Sequence, residues 1–120
     1  MAAENGQVIG CHTIKSWTEQ IQKSNNEPDK LVVVDFTASW CGPCRFIAPF
    51  LAELARRFPS VLFLKVDVDE LKTVAQEWEV EAMPTFMFVK DGKIVDKLVG
   101  SRRAELEEMT IKHMTATTSA

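Results

Sequence analysis

Leu31-Val32-Val33-Val34-Asp35-Phe36-Thr37-Ala38-Ser39-Trp40-Cys41-Gly42-Pro43-Cys44 joins an apolar run, a pair of thiols and the start of a helical pattern end to end. Leu31–Thr37 is nearly continuous in apolar residues, which predicts a strand covered on both faces in the middle of a parallel α/β sheet. Over Arg45–Phe58, residues Phe46, Ile47, Phe50, Leu51, Leu54 and Phe58 recur at three- and four-residue spacings, the pattern of a well-buried helix. Pro49 falls inside it and should kink it, because proline removes one hydrogen bond and crowds the carbonyl four residues back. Cys41 is thereby set at the carboxyl end of a central strand, where α/β sheets tend to hold their reaction sites. If the helix begins near Gly42 or Pro43, its unpaired N–H groups and positive dipole end face the Cys41 sulfur and favour thiolate. Pro43 suits the first turn, where its missing N–H costs nothing. Three helical steps separate the two Cα atoms by about 5 Å, a distance that a disulfide can bridge. The pair reads as a reversible disulfide site.

Outward from this stretch the pattern alternates. Val8–His12 reads as a short strand. A helix follows, capped by Thr13 or by a Ser16-x-x-Glu19 capping box, with Ile14, Trp17 and Ile21 as its buried stripe. Asn25–Asp29 is rich in turn formers. Beyond the central helix, Val61–Asp67 is a second buried strand, and Asp69 can cap a helix over Glu70–Trp78. Ala82–Thr85 is a loop into a strand over Phe86–Lys90. Asp91-Gly92 is a strong two-residue hairpin signal, so Lys93–Val99 returns antiparallel. Gly100 ends that strand, and Ser101 can cap an amphipathic helix to about Met114. The order β-α-β-α-β-α-β-β-α predicts an α/β fold in which helices sandwich a central mixed β-sheet on both faces. With no linker or repeat, residues 1–120 read as a single domain, structured over about 8–114 between short loose termini that include Met1–Gln7.

Composition narrows the function. The chain has 120 residues, 46% hydrophobic and 26% charged, the profile of a compact globular domain. A formal net charge of −3 argues against nucleic acid as the main ligand, since phosphate binding needs a basic face. No apolar run approaches the ~20 residues of a membrane span. Met1–Gly10 shows no signal segment and Thr115–Ala120 no retention signal, so the expected address is cytoplasmic. Three cysteines without an export signal do not make a disulfide scaffold; in a reducing compartment a C-x-x-C pair is catalytic or metal-binding.

Asp35 interrupts the apolar strand. An unpaired carboxylate there is costly, and desolvation should raise its pKa toward neutrality. It stands six residues before Cys41, at the same sheet end, where it could take the proton of Cys44. A structural aspartate bonded to nearby backbone fits the position equally well. Met83-Pro84 reads by itself as an ordinary trans turn before a strand. Cys11 reads as a small buried residue of the first strand, with intermolecular disulfide formation or glutathione capping under oxidation as the lesser alternative. His12 and His113 lack a supporting motif.

Asp35-Phe36-Thr37-Ala38-Ser39-Trp40-Cys41-Gly42-Pro43-Cys44, with Ala48-Pro49, Lys65-Val66-Asp67, Met83-Pro84-Thr85, Gly92 and Gly100, resembles thioredoxin from about Val8 to Met114. The wording at Val8–His12 and Phe36–Trp40 is most similar to the plant h-type branch. The resemblance implies a thioredoxin fold and a thiol-disulfide oxidoreductase that reduces target-protein disulfides through a mixed disulfide. Cys41 would attack, Cys44 resolve, Asp35 accept the proton, and Lys65 tune Asp35. Pro84 would be cis beside the disulfide, and Met83 would offer backbone hydrogen bonds to an extended substrate. Trp40, Gly42 and Pro43 would cover the site, and Gly92 and Gly100 would permit close turns around the groove. No cofactor beyond the Cys41–Cys44 disulfide is implied. The partners would be disulfide-containing proteins and a thioredoxin reductase as electron donor, and the state monomeric. Thr37 departs from the tryptophan of many bacterial members, and Arg102 and Arg103 fall in a first helical turn, where the dipole disfavours cations.

Acidity contributes only part of such a site's rate. A thiol of pKa ~8.5 is about 3% ionised at pH 7, and the value of about 7 known for thioredoxin itself, borrowed rather than deduced from this chain, gives about half. Nucleophilicity falls with pKa at a slope of ~0.4–0.5, which returns about fivefold of that roughly sixteenfold gain. Geometry and leaving-group quality matter more.

Two readings of other classes compete. Zinc held by Cys41, Cys44, Cys11 and a histidine is disfavoured, because one C-x-x-C is half a zinc knuckle. A non-catalytic docking or chaperone module is disfavoured by the intact Cys41, Cys44, Asp35 and Pro84. A disulfide isomerase domain would want export and retention signals and a histidine at Pro43.

Overall fold

The computed structural model describes residues 6–115; of the loose ends expected over Met1–Gln7 and after about Met114, residues 1–5 and 116–120 lie outside the described residues. Along the chain run β1 (Val8–Cys11), α1 (Ile14–Asn25), β2 (Val32–Thr37), α2 (Gly42–Arg57), β3 (Leu62–Asp67), α3 (Lys72–Glu77), β4 (Thr85–Lys90), β5 (Lys93–Val99) and α4 (Arg103–Thr115). The strands form one mixed sheet in the order β1-β3-β2-β4-β5. β1 and β2 flank β3 in parallel, β4 is antiparallel to β2, and β5 is antiparallel to β4. Strand β2 is central and buried along its whole length, as its continuous apolar run requires.

Alternation along β2 divides the core. Val33 packs with Phe63, Phe86, Phe88 and the α2 and α4 residues Ile47, Leu51, Leu54 and Leu106. Val32, Val34 and Phe36 face the other way, against Trp17 of α1 and Leu71 and Val74 beside α3. On that side Trp17 meets Trp78 edge-on at 5.3 Å and Phe36 lies 5.8 Å from Trp78, so three aromatic rings fill the space under α1 and α3. The β4–β5 turn places Asp91 at φ 50° and Gly92 at φ 77°, the two left-handed residues of a tight hairpin.

Five local expectations are corrected. Thr13 caps α1 by accepting from Ser16 N at 3.0 Å, so Ser16 lies inside the helix and the Ser16–Glu19 capping box does not form. Ile14 is 49% exposed, because the buried line of α1 begins one turn later and runs through Trp17, Ile21 and Ser24. Phe46 is 65% exposed: Cys44, Ile47, Leu51 and Leu54 take the sheet-facing side of α2, and Phe46 stands about 100° away from that line. At α3 the N-cap is Leu71 with no side-chain cap, and Asp69 is used elsewhere. At the chain's end, the Arg102 carbonyl takes the first α4 bond from Leu106 N at 2.9 Å, which leaves Ser101 one residue before the cap position.

The contrast between neighbours in α2 is testable. Ile47→Ala empties a fully buried site and should cost about 2–5 kcal/mol in urea unfolding. Phe46→Ala should stay within about 0.5 kcal/mol of the parent. Equal losses at the two positions would contradict the assigned helix face.

Candidate active site

Three features of the local chain put a sulfur pair at the edge of the sheet. The central strand β2 ends at Thr37, whose carbonyl accepts from Val68 N at 2.9 Å and ties the loop after β3 alongside. The chain then turns through Ala38–Trp40, with Cys41 N donating to Ala38 O at 3.1 Å and Arg45 Nη1 donating to Ser39 O at 2.9 Å. Cys41 is the N-cap of α2, in extended conformation, with Pro43 in the first turn. Its sulfur accepts from Cys44 N at 3.2 Å, so an otherwise unpaired helix N–H is aimed at the atom that would carry negative charge.

Cys41 and Cys44 form a disulfide with a Cα–Cα distance of 5.3 Å. Both are nearly buried, at 5% and 4% exposure, in a small cluster with Ala38, Val68 and Met83. The Cys41 sulfur lies 3.6 Å from the Met83 carbonyl oxygen. The Met83–Pro84 peptide is cis, Pro84 is buried, and its carbonyl accepts from Gly100 N at 2.8 Å. Gly42 and Pro43 are exposed, and a Cβ on Gly42 would meet open space, so the disulfide can be approached from above. Trp40 is 64% exposed, with its indole N–H donating to Asp69 Oδ2 at 2.9 Å. Asp69 therefore anchors the tryptophan rather than a helix. Both residues follow the carboxyl ends of neighbouring parallel strands, a relation the sequence order contained. Gly100, at φ 103°, belongs to the site; Gly92 does not, because the β4–β5 hairpin lies beside Asn25 at the other end of the sheet.

Asp35 is on the α2 side of the sheet, one step nearer the strand end than Val33. It is paired in register with Lys65 of β3 and Phe86 of β4. Its Oδ1 is buried without a hydrogen-bond partner. Loss of solvation pushes the carboxyl pKa up from the ordinary 3.8 to about 7, against the opposing pull of the Lys65 ammonium. The backbone-bonded structural role open to Asp35 on sequence grounds finds no bond to this oxygen. A cleft of about 340 Å³ lined by Cys44, Arg45, Lys65, Asp67, His12 and Glu70 lets solvent reach the Cys44 and Lys65 side of this arrangement. Apart from Gly92, the residues singled out around the cysteine pair thus lie toward one end of the sheet. Cys11 stands apart as a free, buried thiol on the α1–α3 side. Among the described residues, no group of three His, Cys, Asp or Glu side chains is placed to hold a metal, and no helix is long and apolar enough to cross a membrane.

Comparison with known proteins agrees with this geometry. The thioredoxin family model matches residues 8–112. A thioredoxin H-type of Ricinus communis is 70% identical over 114 residues, covering 95% of this chain and 96% of the relative. Thioredoxin H1 of Arabidopsis thaliana is 65% identical over 114 residues, covering 95% and 99%. The crystal structure of a thioredoxin h from Nicotiana alata superposes with a TM-score of 0.86 at 44% identity, covering 92% of this chain and 95% of that one.

Asp35 makes folding stability depend on pH. Its folded pKa lies above the unfolded value, so between the ordinary 3.8 and about 7 the folded state holds a proton that the unfolded state has lost. Stability contributed by this group is therefore full below that window and falls as pH rises through it. At about 1.4 kcal/mol per pKa unit the loss is on the order of 4 kcal/mol. Asp35→Asn should remove this decline and leave the variant more stable than the parent above pH 7, as read by denaturant unfolding across the window. A variant with the parent's pH profile would show that Asp35 titrates normally.

Proposed function

The chain belongs to the thioredoxin family, and from that membership we propose how its residues divide the work of a thiol-disulfide oxidoreductase. The observation that carries the reading is the Cys41 sulfur at the amino end of α2, bridged to Cys44 and facing Met83. In the reduced protein, the Cys41 thiolate attacks one sulfur of a target disulfide, and the other target sulfur leaves with the bonding electron pair. This gives a mixed disulfide between Cys41 and the target. Cys44 passes its thiol proton to the Asp35 carboxylate and attacks the Cys41 sulfur. The second target sulfur departs as thiolate, and Cys41–Cys44 closes. Two electrons have moved from this protein to the target, and the released thiolates take up protons from solvent.

Each surrounding group has a role in this scheme. The Cys44 N–H and the end of α2 stabilise Cys41 as thiolate when it attacks and when it is displaced. Asp35 suits the acceptor role because its pKa near 7 lets it hold and release a proton at working pH. Lys65 moderates that value and faces the solvent cleft through which the proton leaves. Met83 and the cis Pro84 form the wall against which an extended target segment lies, with Met83 backbone groups as hydrogen-bond partners. Trp40, held by Asp69, and the open faces of Gly42 and Pro43 shape the approach. The chemistry uses no cofactor beyond the Cys41–Cys44 disulfide. In this reading the protein acts as a monomer in the cytosol, with a thioredoxin reductase returning the electrons.

Trapping tests the assignment. Cys44→Ser, reduced and mixed with oxidised insulin, should accumulate a mixed disulfide at Cys41, whereas Cys41→Ser should lose insulin reduction. Accumulation at Cys44 in the Cys41→Ser protein, at the same rate, would reverse the roles.

A further inference from the structure

Phe46 is the most exposed large apolar side chain among the described residues, at 65%. It stands three residues after Pro43 and four after Gly42, on the same outward face of α2. Pro49 continues that face, and Phe46, Pro49, Phe50, Glu53 and Arg103 line a groove of about 230 Å³. The groove's far wall comes from the start of α4, where the Arg103 guanidinium lies over the Phe50 ring at 4.6 Å. Arg102, beside it, packs its side chain near Gly100, which is bonded to the Pro84 carbonyl at 2.8 Å. An arc therefore runs from Pro43 through Phe46 and Phe50 to Arg103 and Arg102, ending beside the cis proline. The carboxylates nearest it are Glu53, which lines the groove and is paired with Arg57 at 3.6 Å, and Glu107, which is paired with Arg57 at 2.8 Å and also feels the charge of Arg103. The arc is continuous with the opening through which any target disulfide must reach Cys41.

The charges on this arc oppose local economy. Arginines at the start of a helix work against its dipole. They also stand on a chain whose formal net charge is −3. Arg102 is offset by Glu105 at 3.0 Å, while Arg103 is held by stacking over an aromatic face. A cation beside an exposed phenylalanine suits a segment that presents an apolar side chain next to a carboxylate.

We propose that Phe46 and Arg103 form a docking surface for oxidised target proteins, selecting those with an apolar residue followed by acidic residues close to the reacting cysteine. The proposal rests on the reading that the reduced pair acts on protein disulfides. The apolar side chain enters the groove between Phe46 and Phe50, and the carboxylate meets Arg103. Binding here holds the target disulfide over Cys41 and changes no step of the chemistry.

Two synthetic peptides decide it, each with one intramolecular disulfide, followed by Leu-Glu-Glu in one and Leu-Lys-Lys in the other. The wild-type protein should reduce the acidic peptide with the higher kcat/KM, by about two- to fivefold, the size expected of solvent-exposed charge pairs. Arg103→Glu, which favours the helix dipole and so preserves the fold, should abolish or invert that preference. Phe46→Ser should raise KM for the acidic peptide by about fivefold, as expected for loss of one aromatic contact, and leave kcat in place. Hydroxyethyl disulfide, too small to reach the groove, should be reduced by both variants at the parent rate. An unchanged peptide preference in Arg103→Glu, or equal losses on peptide and hydroxyethyl disulfide, would overturn the docking surface. Failure of the wild type to reduce either peptide while it reduces hydroxyethyl disulfide would instead overturn the reading on protein disulfides.

Discussion

Residues Val32 to Thr37 run through the middle of the sheet with a hydrogen-bonded strand on each side and a helical layer against each face. A side chain on that strand has nowhere to reach water, so five of the six positions carry residues that need none or little. Burial on both faces fixes the direction in which the chain must leave. It exits at the strand's carboxyl end and turns directly into α2, which lies back across one face through Ile47, Leu51 and Leu54. Cys41 is at that turn and Cys44 is one helical turn on, so the geometry of the sulfur pair follows from the packing of β2. The same constraint places Met83 and Pro84 opposite, because β4 is antiparallel to β2 and begins where β2 ends.

Asp35 is the exception on this strand, and its burial is costly. An orphaned buried carboxyl oxygen does not help the fold; it lowers stability at neutral pH, and in the proposed scheme the group kept at that cost holds the proton that Cys44 loses. Lys65, paired with it in register, limits that cost without neutralising it. The sulfur side of the site is inexpensive by comparison. The helix end that faces Cys41 has unsatisfied N–H groups whatever residue stands there, and Pro43 occupies a turn that needs no donor. Thiolate stabilisation is thus largely a by-product of where α2 starts, whereas the Asp35 carboxyl has to be maintained against the packing of the sheet.

Much of this was legible in the chain. The apolar run over Leu31–Thr37, the Asp91-Gly92 turn and the C-x-x-C spacing each encode a local geometry with few alternatives, and together they order every strand and helix. What escaped is information that depends on a second element. Helical spacing places Phe46 and Ile47 in one apolar stripe, but only the position of the sheet decides that Ile47 goes in and Phe46 out. Ile14 has the right period but lies in a first turn that precedes the packed part of α1. Asp69 has the sequence setting of a helix cap, and loses that role because the Trp40 indole N–H, brought in by the neighbouring strand, offers it a partner. Gly92 and Gly100 look alike in sequence, yet antiparallel pairing sends one to each end of the sheet. Residue patterns also left Asp35 between structure and chemistry, and the absence of a hydrogen-bond partner for its Oδ1 depends on neighbours that the sequence does not place.

The account depends most on that carboxyl group. Carbon-detected NMR titration of the Asp35 side chain in the oxidised protein measures its protonation directly, without passing through a rate or an unfolding curve. A midpoint at about 7 is the expected result. A midpoint at the ordinary 3.8 would contradict the account, leaving Asp35 a permanently charged residue unable to exchange a proton with Cys44 at neutral pH.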